Sequence, residues 1–454
     1  MTPQSVTHMS TLARTGRTVV VGLGRTGLSC ARFLHARGID FAVTDSREAP
    51  PESHALQQLA PGVEMRFGGF DASLLDGTVQ VIASPGVSLD EPFLQAAAAR
   101  GIAIVGDIEL FVREAKAPIA AITGTNGKST VTTLVALMAN AAGKQAIAAG
   151  NLGKPVLDLL EEPAPHIYVL ELSSFQLDTT RSLRAAVATV LNVTPDHMDR
   201  YGTLETYAAS KARIFEGAQT AVLNLDDAAV RAMAGHVAKR IGFSLLRDPA
   251  ADYFAEPHGD DTVLMCRGER LVAMSELKIA GLHNAANALA SLAMCEALGL
   301  PREPCIAALR EFTGLPHRSQ FVAEIGGVRY VDDSKGTNVG ATLAAVAGMP
   351  GSLVLIAGGQ GKGQDFAPLA AAFRGKVRHV VLIGQDAKLI EAALHGTCTT
   401  EFAIDMGAAV QAAANAARPG ETVLLSPACA SLDMFRDYGH RGDVFAACVR
   451  GLAA

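Results

Sequence analysis

Short, nearly all-apolar runs recur along the chain, and each breaks off at glycine, proline or a polar residue. In the first quarter they are TVVVGLG (18–24), VQVIASPGVS (79–88) and IAIVGDIELF (102–111). APIAAIT (117–123), HIYVLEL (166–172), AVATVLNV (186–193) and TAVLNL (220–225) follow. The last third adds VRYVDDS (328–334), SLVLIAGGQGKG (352–363), VRHVVLIGQ (377–385) and ETVLLSPACAS (421–431). Runs of this length, bounded by turn residues, predict strands. Between them lie stretches of helical spacing, LSCARFLHARGIDF (28–41), KSTVTTLVALMANAA (128–142) and HNAANALASLAMCEALGL (283–300), the last stopped by Pro301. From about 252 to 276 short alternating runs predict hairpin strands at a sheet edge. Strand and helix alternate throughout, so the fold class is α/β.

The breaks in this pattern divide the chain into three units, 1–107, 108–314 and 315–454. The first is Rossmann-like, the second resembles a P-loop ATPase domain and the third is again Rossmann-like. Length agrees: 454 residues with 49% hydrophobic and 19% charged content suit roughly three ordinary domains. A net charge of -6 leaves no basic field to hold a polyanion, so nucleic acid is not an expected partner. The seven cysteines are scattered, with no CxxC pair, as in reduced cytosolic thiols. The first sixteen residues lack the apolar core of a signal peptide, and no run of about 18 apolar residues follows. A cytoplasmic monomer without membrane insertion is expected.

Two glycine-rich turns carry the candidate chemistry. The run at 18–24 ends in GxGxxG (Gly22, Gly24, Gly27), with Asp45 18 residues beyond Gly27. That spacing is near the one that places a ribose-binding acid in a dinucleotide fold, yet the turn suits any diphosphate laid over a helix N-terminus. The second turn, GTNGKST (124–130), follows a strand and opens a helix at Lys128, but Ile122 stands where a phosphate loop usually has its first glycine. Gly124 and Gly127 still let the backbone curl around phosphate oxygens, and Ser129 and Thr130 fall on the first helical turn, where a hydroxyl can reach a metal. Ile122 is read as the last buried residue of the strand. Glu171, at the end of another strand, can hold Mg2+ or be a solvated strand-end charge. His197 sits among aspartates after a further strand end. Spacing alone makes Lys211 a solvated helical side chain.

GTNGKST, ELSSFQL, NVTPDHMDRY with SKARI, GLHNAANAL, GLPHR, VDDSKGTNVGAT, GGQGKGQDF and LLSPACASLDMF occur in this order across nearly the whole chain. Together they resemble the Mur ligase family, and DDSKGTNVGAT and SPACASLDMF are most similar to its D-glutamate-adding branch. The resemblance implies ATP-dependent joining of D-glutamate to UDP-N-acetylmuramoyl-L-alanine in cell-wall precursor synthesis. It implies ATP contacts from Gly124, Thr125, Asn126, Gly127, Lys128, Ser129, Thr130, Asn287, His317, Arg318 and Asp333. Ser129, Glu171, His197 and Lys211 would serve two Mg2+ sites, with Lys211 carbamylated; Lys128, Glu171, His197 and Lys211 would be the catalytic set. Arg25, Thr26, Asp45, Ser46, Arg47, Gly86 and Asn151 would meet the UDP precursor. Lys335, Thr337, Lys362, Ser431, Leu432 and Tyr438 would form the D-glutamate pocket, Tyr438 standing where the family more often has phenylalanine. A folylpolyglutamate synthetase-like ligase shares the loop and the metal lysine. An NAD-dependent oxidoreductase explains GxGxxG and Asp45 but leaves GTNGKST, Glu171 and Lys211 without work. A nucleotide-binding module without catalysis is the third reading.

Overall fold

The structure, a computed structural model, describes residues 16–452 apart from 260 and 280, so the N-terminal stretch read for a leader core lies, up to residue 15, outside the described residues. The apolar runs form three separate sheets. In the first, Arg17–Val21 lies at the centre, between Phe41–Asp45 and Thr78–Ala83, with Glu64–Phe67 and Ala103–Val105 at the edges. All its pairings are parallel, so each connection must cross over, and the helices Arg25–Ala36 and Pro92–Ala99 do so.

The second sheet has nine strands. Ile119–Thr123, buried at every position, lies between Ile167–Glu171 and Val187–Val190, all parallel. Its register pairs Ile122 with Glu171, so the loop after Thr123 and the Glu171 side chain leave the sheet at the same edge. Ala146–Gly150 closes one side, and Thr220–Asn224 and Lys239–Ser244 extend the other. The expected hairpins at 252–276 are present as Tyr253–His258, Asp261–Cys266 and Glu269–Ala273, paired antiparallel at the far edge. Helices Lys128–Ala141 and Leu282–Ala297 pack on one face of this sheet, their apolar residues joining Val169, Val187 and Val222 in a common core.

The third sheet has six strands, from Gln320–Ile325 through Val328–Asp332, Thr422–Leu425, Leu353–Gly358 and Val377–Ile383 to Thr399–Phe402. Only the first pairing is antiparallel. Two predicted details differ. The run 102–111 is a strand only to Val105; Gly106 caps a helix, Asp107–Glu114, whose first turn carries Asp107 and Glu109, favourable at the positive end of a helix. Burial continues past Ile122 through Thr123, Gly124 and Thr125, because the loop runs under Leu191 and Asn192 of the neighbouring strand end. Among the described residues no helix is long and apolar enough to cross a membrane.

Candidate active site

Thr123 ends its strand, and the chain turns through Gly124 at φ 148° and Gly127 at φ 86° before the helix begins at Lys128. Both turns need backbone conformations that glycine adopts without steric cost. A β-carbon on Gly127 would lie 2.5 Å from Oδ1 of Asn287, so the loop lies directly against that side chain. The rest of the loop is held from strand ends: Asn192 Oδ1 accepts from the Asn126 amide at 2.8 Å and its Nδ2 donates to Asn126 O at 3.1 Å. Thr125 Oγ1 donates to Thr194 O at 3.1 Å. Lys128 folds back to donate to the carbonyls of Gly124 and Thr125 at 2.9 and 2.8 Å.

Glu171 is buried beside this loop. Its Oε1 accepts from Asn151 Nδ2 at 2.8 Å, whereas Oε2 is buried without a hydrogen-bond partner. A buried carboxylate oxygen without a donor is costly and fits a cation ligand. Lys211 is 1% exposed, not solvated as its spacing alone indicated: its Nζ donates to Gly124 O at 2.9 Å and lies 4.4 Å from the Tyr207 ring centroid. Burial, and then the charge of Lys128, push the Lys211 amine well below its ordinary pKa. His197 stands at φ 57° before the short helix Met198–Tyr201, its ring edge-on to Phe175 at 4.8 Å. Burial lowers its pKa to about 4, so the imidazole is neutral near pH 7.

The third sheet presses its loops onto this centre. Arg318 Nη2 donates to Ser129 Oγ at 3.0 Å, and Asn338 Nδ2 reaches Asn126 Oδ1 at 3.1 Å and Asp196 Oδ2 at 3.2 Å. Lys362 Nζ pairs with Asp196 Oδ1 at 2.5 Å. Burial lowers Lys128 and Arg318 and takes Lys335 down to about 7, with Arg318 adding repulsion on Lys335. Asp333, accepting from Ser426 Oγ and the Ser319 amide, is raised to about 7 by burial. Lys128, Lys335, Lys362, Lys211 and Arg318 thus crowd around Glu171 and Asp196 from two domains, and like-charge repulsion adds to burial in lowering Lys128, Lys211 and Lys335.

Beside the loop a cavity of 440 Å³ is lined by Asn126, Gly127, Thr130, Asn284, Asn287, Phe243, Ile279, Arg318, Asp333 and Lys335, among others. Asn287 Nδ2 donates to Asn284 Oδ1 at 3.3 Å. His317, at φ 60°, is not one of the residues lining this cavity; its Nδ1 pairs with Asp332 Oδ2 at 2.7 Å. Lys335 Nζ sits 3.7 Å over the Tyr438 ring. Ser431 is buried, Thr337 half-buried and Leu432 exposed. Fully buried Arg441 ties the two segments together, with Nη2 on Ser334 O at 2.8 Å and Nη1 on Cys429 O at 3.1 Å.

The residues assigned to the UDP precursor divide. Arg25 and Thr26 lie inside GxGxxG and open its helix, and Arg25 Nη2 reaches Gly153 O at 3.4 Å. Ser46 and Gly86 are exposed. Asp45 is buried and already engaged: burial would raise its pKa, but Arg47 and the Leu23 amide bind both oxygens and hold it at about 2. Asn151 belongs geometrically with Glu171. Asp196, Asn192, Asn338, Arg200 and Arg441 escaped the sequence reading. Arg200 lies over Phe175 and donates to Pro85 O at 3.1 Å and Val87 O at 2.9 Å, bracketing Gly86.

Family models cover the three sheets in turn. The Mur ligase MurD-like N-terminal domain matches residues 16–106, the Mur ligase middle domain 122–295, and the Mur ligase glutamate ligase domain 317–429. The chain belongs to the Mur ligase family. This Mur ligase is 51% identical over 434 residues to the UDP-N-acetylmuramoylalanine--D-glutamate ligase of Nitrosococcus oceani, covering 95% of this chain and 96% of that one. It is 51% identical over 438 residues to the protein of the same name from Methylobacillus flagellatus, covering 96% of each. Its fold is that of the UDP-N-acetylmuramate-alanine ligase MurC of Thermotoga maritima, at TM-score 0.60 and 20% identity over 96% of this chain and all of that one. The α/β architecture in three domains is therefore the family's own.

Proposed function

We propose that this Mur ligase joins D-glutamate to the L-alanyl carboxylate of UDP-N-acetylmuramoyl-L-alanine in peptidoglycan precursor synthesis, at the expense of ATP. Relatives half identical over nearly the full chain carry that name. The observation that carries the mechanism is the seam itself, where Lys128, Lys211, Arg318, Lys335 and Lys362 face Glu171 and Asp196 from two domains.

A carboxylate is a poor acyl donor because its oxide cannot leave. ATP gives its γ-phosphoryl to the alanyl carboxylate, the amine of D-glutamate attacks the resulting acyl phosphate, and inorganic phosphate departs. Triphosphate and carboxylate repel one another by about 4 kcal/mol per pair of unit charges 4 Å apart at intermediate dielectric. The seam's cations offset that repulsion. Lys128 swings from the loop carbonyls to the β- and γ-phosphates, Arg318 approaches the γ-phosphate beside Ser129, and Asn287 borders the cavity that suits adenine.

Among the described residues no three His, Cys, Asp or Glu side chains form a metal cluster. The orphaned Glu171 Oε2 nevertheless fits Mg2+, with Ser129, His197 and a carbamate on Lys211 as further ligands. Bound Mg2+ supplies charge neutralisation at the transferring phosphoryl. A buried amine with a depressed pKa is a free nucleophile: Lys211 nitrogen attacks CO2, loses a proton and becomes an anionic carboxylate on a long stem. His197, neutral because burial lowers its pKa to about 4, has one basic ring nitrogen, which this reading gives to the cation. Lys362, Thr337, Ser431, Leu432 and Tyr438 form the D-glutamate side, and the unit at 1–107, with Arg25, Thr26, Ser46, Arg47 and Gly86, the UDP side, where Asp45 holds Arg47 in place.

The test is phosphate release from ATP with UDP-N-acetylmuramoyl-L-alanine present, compared for D-glutamate, L-glutamate and no amino acid. Release with D-glutamate alone is expected. Release independent of the amino acid, or favouring the L-isomer, contradicts the proposal.

A further inference from the structure

Asp196 is reached across the seam by two side chains of the third domain, Lys362 and Asn338. Its Oδ1 accepts from Lys362 Nζ at 2.5 Å and from the His197 amide at 2.9 Å, and its Oδ2 accepts from Asn338 Nδ2 at 3.2 Å. The carboxylate side chain is 9% exposed and the lysine side chain 15% exposed, so neither charge is well solvated. Lys362 is held at φ 54° in a turn between glycines, which aims its stem at the central domain. Asn338 also caps the helix Val339–Gly348 through Oδ1, so its amide nitrogen is free only for the seam.

We infer that Asp196 is a positioning residue that stands in for a substrate carboxylate on Lys362. This inference rests on the D-glutamate reading above, in which Lys362 receives a carboxylate of the amino acid. A buried ammonium needs an anionic partner. Asp196 provides one before the amino acid arrives and, through Asn338, keeps the third domain docked on the phosphate loop. An entering D-glutamate carboxylate approaches an ammonium that is already neutralised and lies close to a second carboxylate. Asp196 therefore sets how tightly the amino acid binds: part of the attraction of Lys362 for substrate is spent on displacing or sharing it.

The experiment measures KM for D-glutamate, ATP and UDP-N-acetylmuramoyl-L-alanine in wild type, Asp196→Asn, Lys362→Gln and the double variant. Asparagine keeps the shape and an acceptor for the His197 amide but removes the charge. KM for D-glutamate is expected to fall at least threefold in Asp196→Asn, with ATP and precursor KM changed less than that. In the Lys362→Gln background the same substitution should leave D-glutamate KM unchanged, which a merely structural role of Asp196 would not produce. An unchanged or raised D-glutamate KM in the single variant, or an equal fall in both backgrounds, overturns the inference. Asp196→Ser makes the same prediction and serves if the asparagine variant does not fold. If wild type itself does not use D-glutamate, the functional reading fails instead, so the two failures are distinguishable.

Discussion

Arg318 and Ser129 meet across the domain seam, guanidinium to hydroxyl at 3.0 Å, although 189 residues separate them in sequence. Ser129 sits on the first turn of the phosphate-loop helix, and Arg318 comes from the segment that enters the third domain. Docking of that domain thus brings a delocalised, permanently charged fork to the place where the γ-phosphate would lie. Arg318→Lys keeps the charge but loses the planar set of donors. It should lower kcat about a hundredfold, the scale of removing one preorganised transition-state donor, with precursor KM little changed. Steady-state phosphate release checks this; a kcat within threefold of wild type counts against it.

Lys211 is predicted to work as a carbamate. Lys211→Ala should lose nearly all activity, and added short-chain carboxylates should restore part of it by occupying the space of the lost stem. Wild-type rates should rise when bicarbonate is returned to CO2-depleted buffer. Absence of both effects removes the carbamate and leaves Lys211 as a buried cation.

Asp107 predicts a pH effect on stability. Its carboxyl is buried with Oδ1 unpartnered, and burial raises its pKa from 3.8 to about 6, partly opposed by hydrogen bonds from its own helix amides and Gln176. The folded state therefore holds this proton more tightly than the unfolded chain. The stability from that proton is complete below about pH 3.8 and is lost as pH rises to about 6. Relative to Asp107→Asn, wild type should lose about 3 kcal/mol over that interval and change little above it, since one pKa unit is about 1.4 kcal/mol. Denaturant melts of both proteins from pH 4 to 8 test the slope; a difference that stays flat or grows in favour of wild type contradicts it.

Much of this architecture is legible in the sequence, and the exceptions have physical causes. The central strands were readable because burial on both faces leaves uninterrupted apolar runs, as in Ile119–Thr123. The edge strands Glu64–Phe67 and Thr399–Phe402 were not, because none of their positions is fully buried and no uninterrupted apolar run results. Lys211 looked solvated because its helix has no broad apolar face; inside the fold its amine lies over the ring of Tyr207, one turn earlier. Asp196 was hidden next to His197, its partner Lys362 lying 166 residues further on. The NAD-like reading of GxGxxG with Asp45 shows the same limit, since Arg47 and the Leu23 amide occupy the carboxylate that spacing offered to a ribose.

On the proposed function, cations from two domains bring a triphosphate and a carboxylate together so that the alanyl carboxylate becomes an acyl phosphate open to the amine of D-glutamate. The most direct measurement is the mass of the uridine nucleotide product after incubation with ATP, Mg2+, UDP-N-acetylmuramoyl-L-alanine and each glutamate isomer. A single added glutamyl residue with D-glutamate, one ADP formed per residue, and no addition with L-glutamate is the result expected; unchanged precursor mass while ATP is consumed, or addition without ATP, would contradict it.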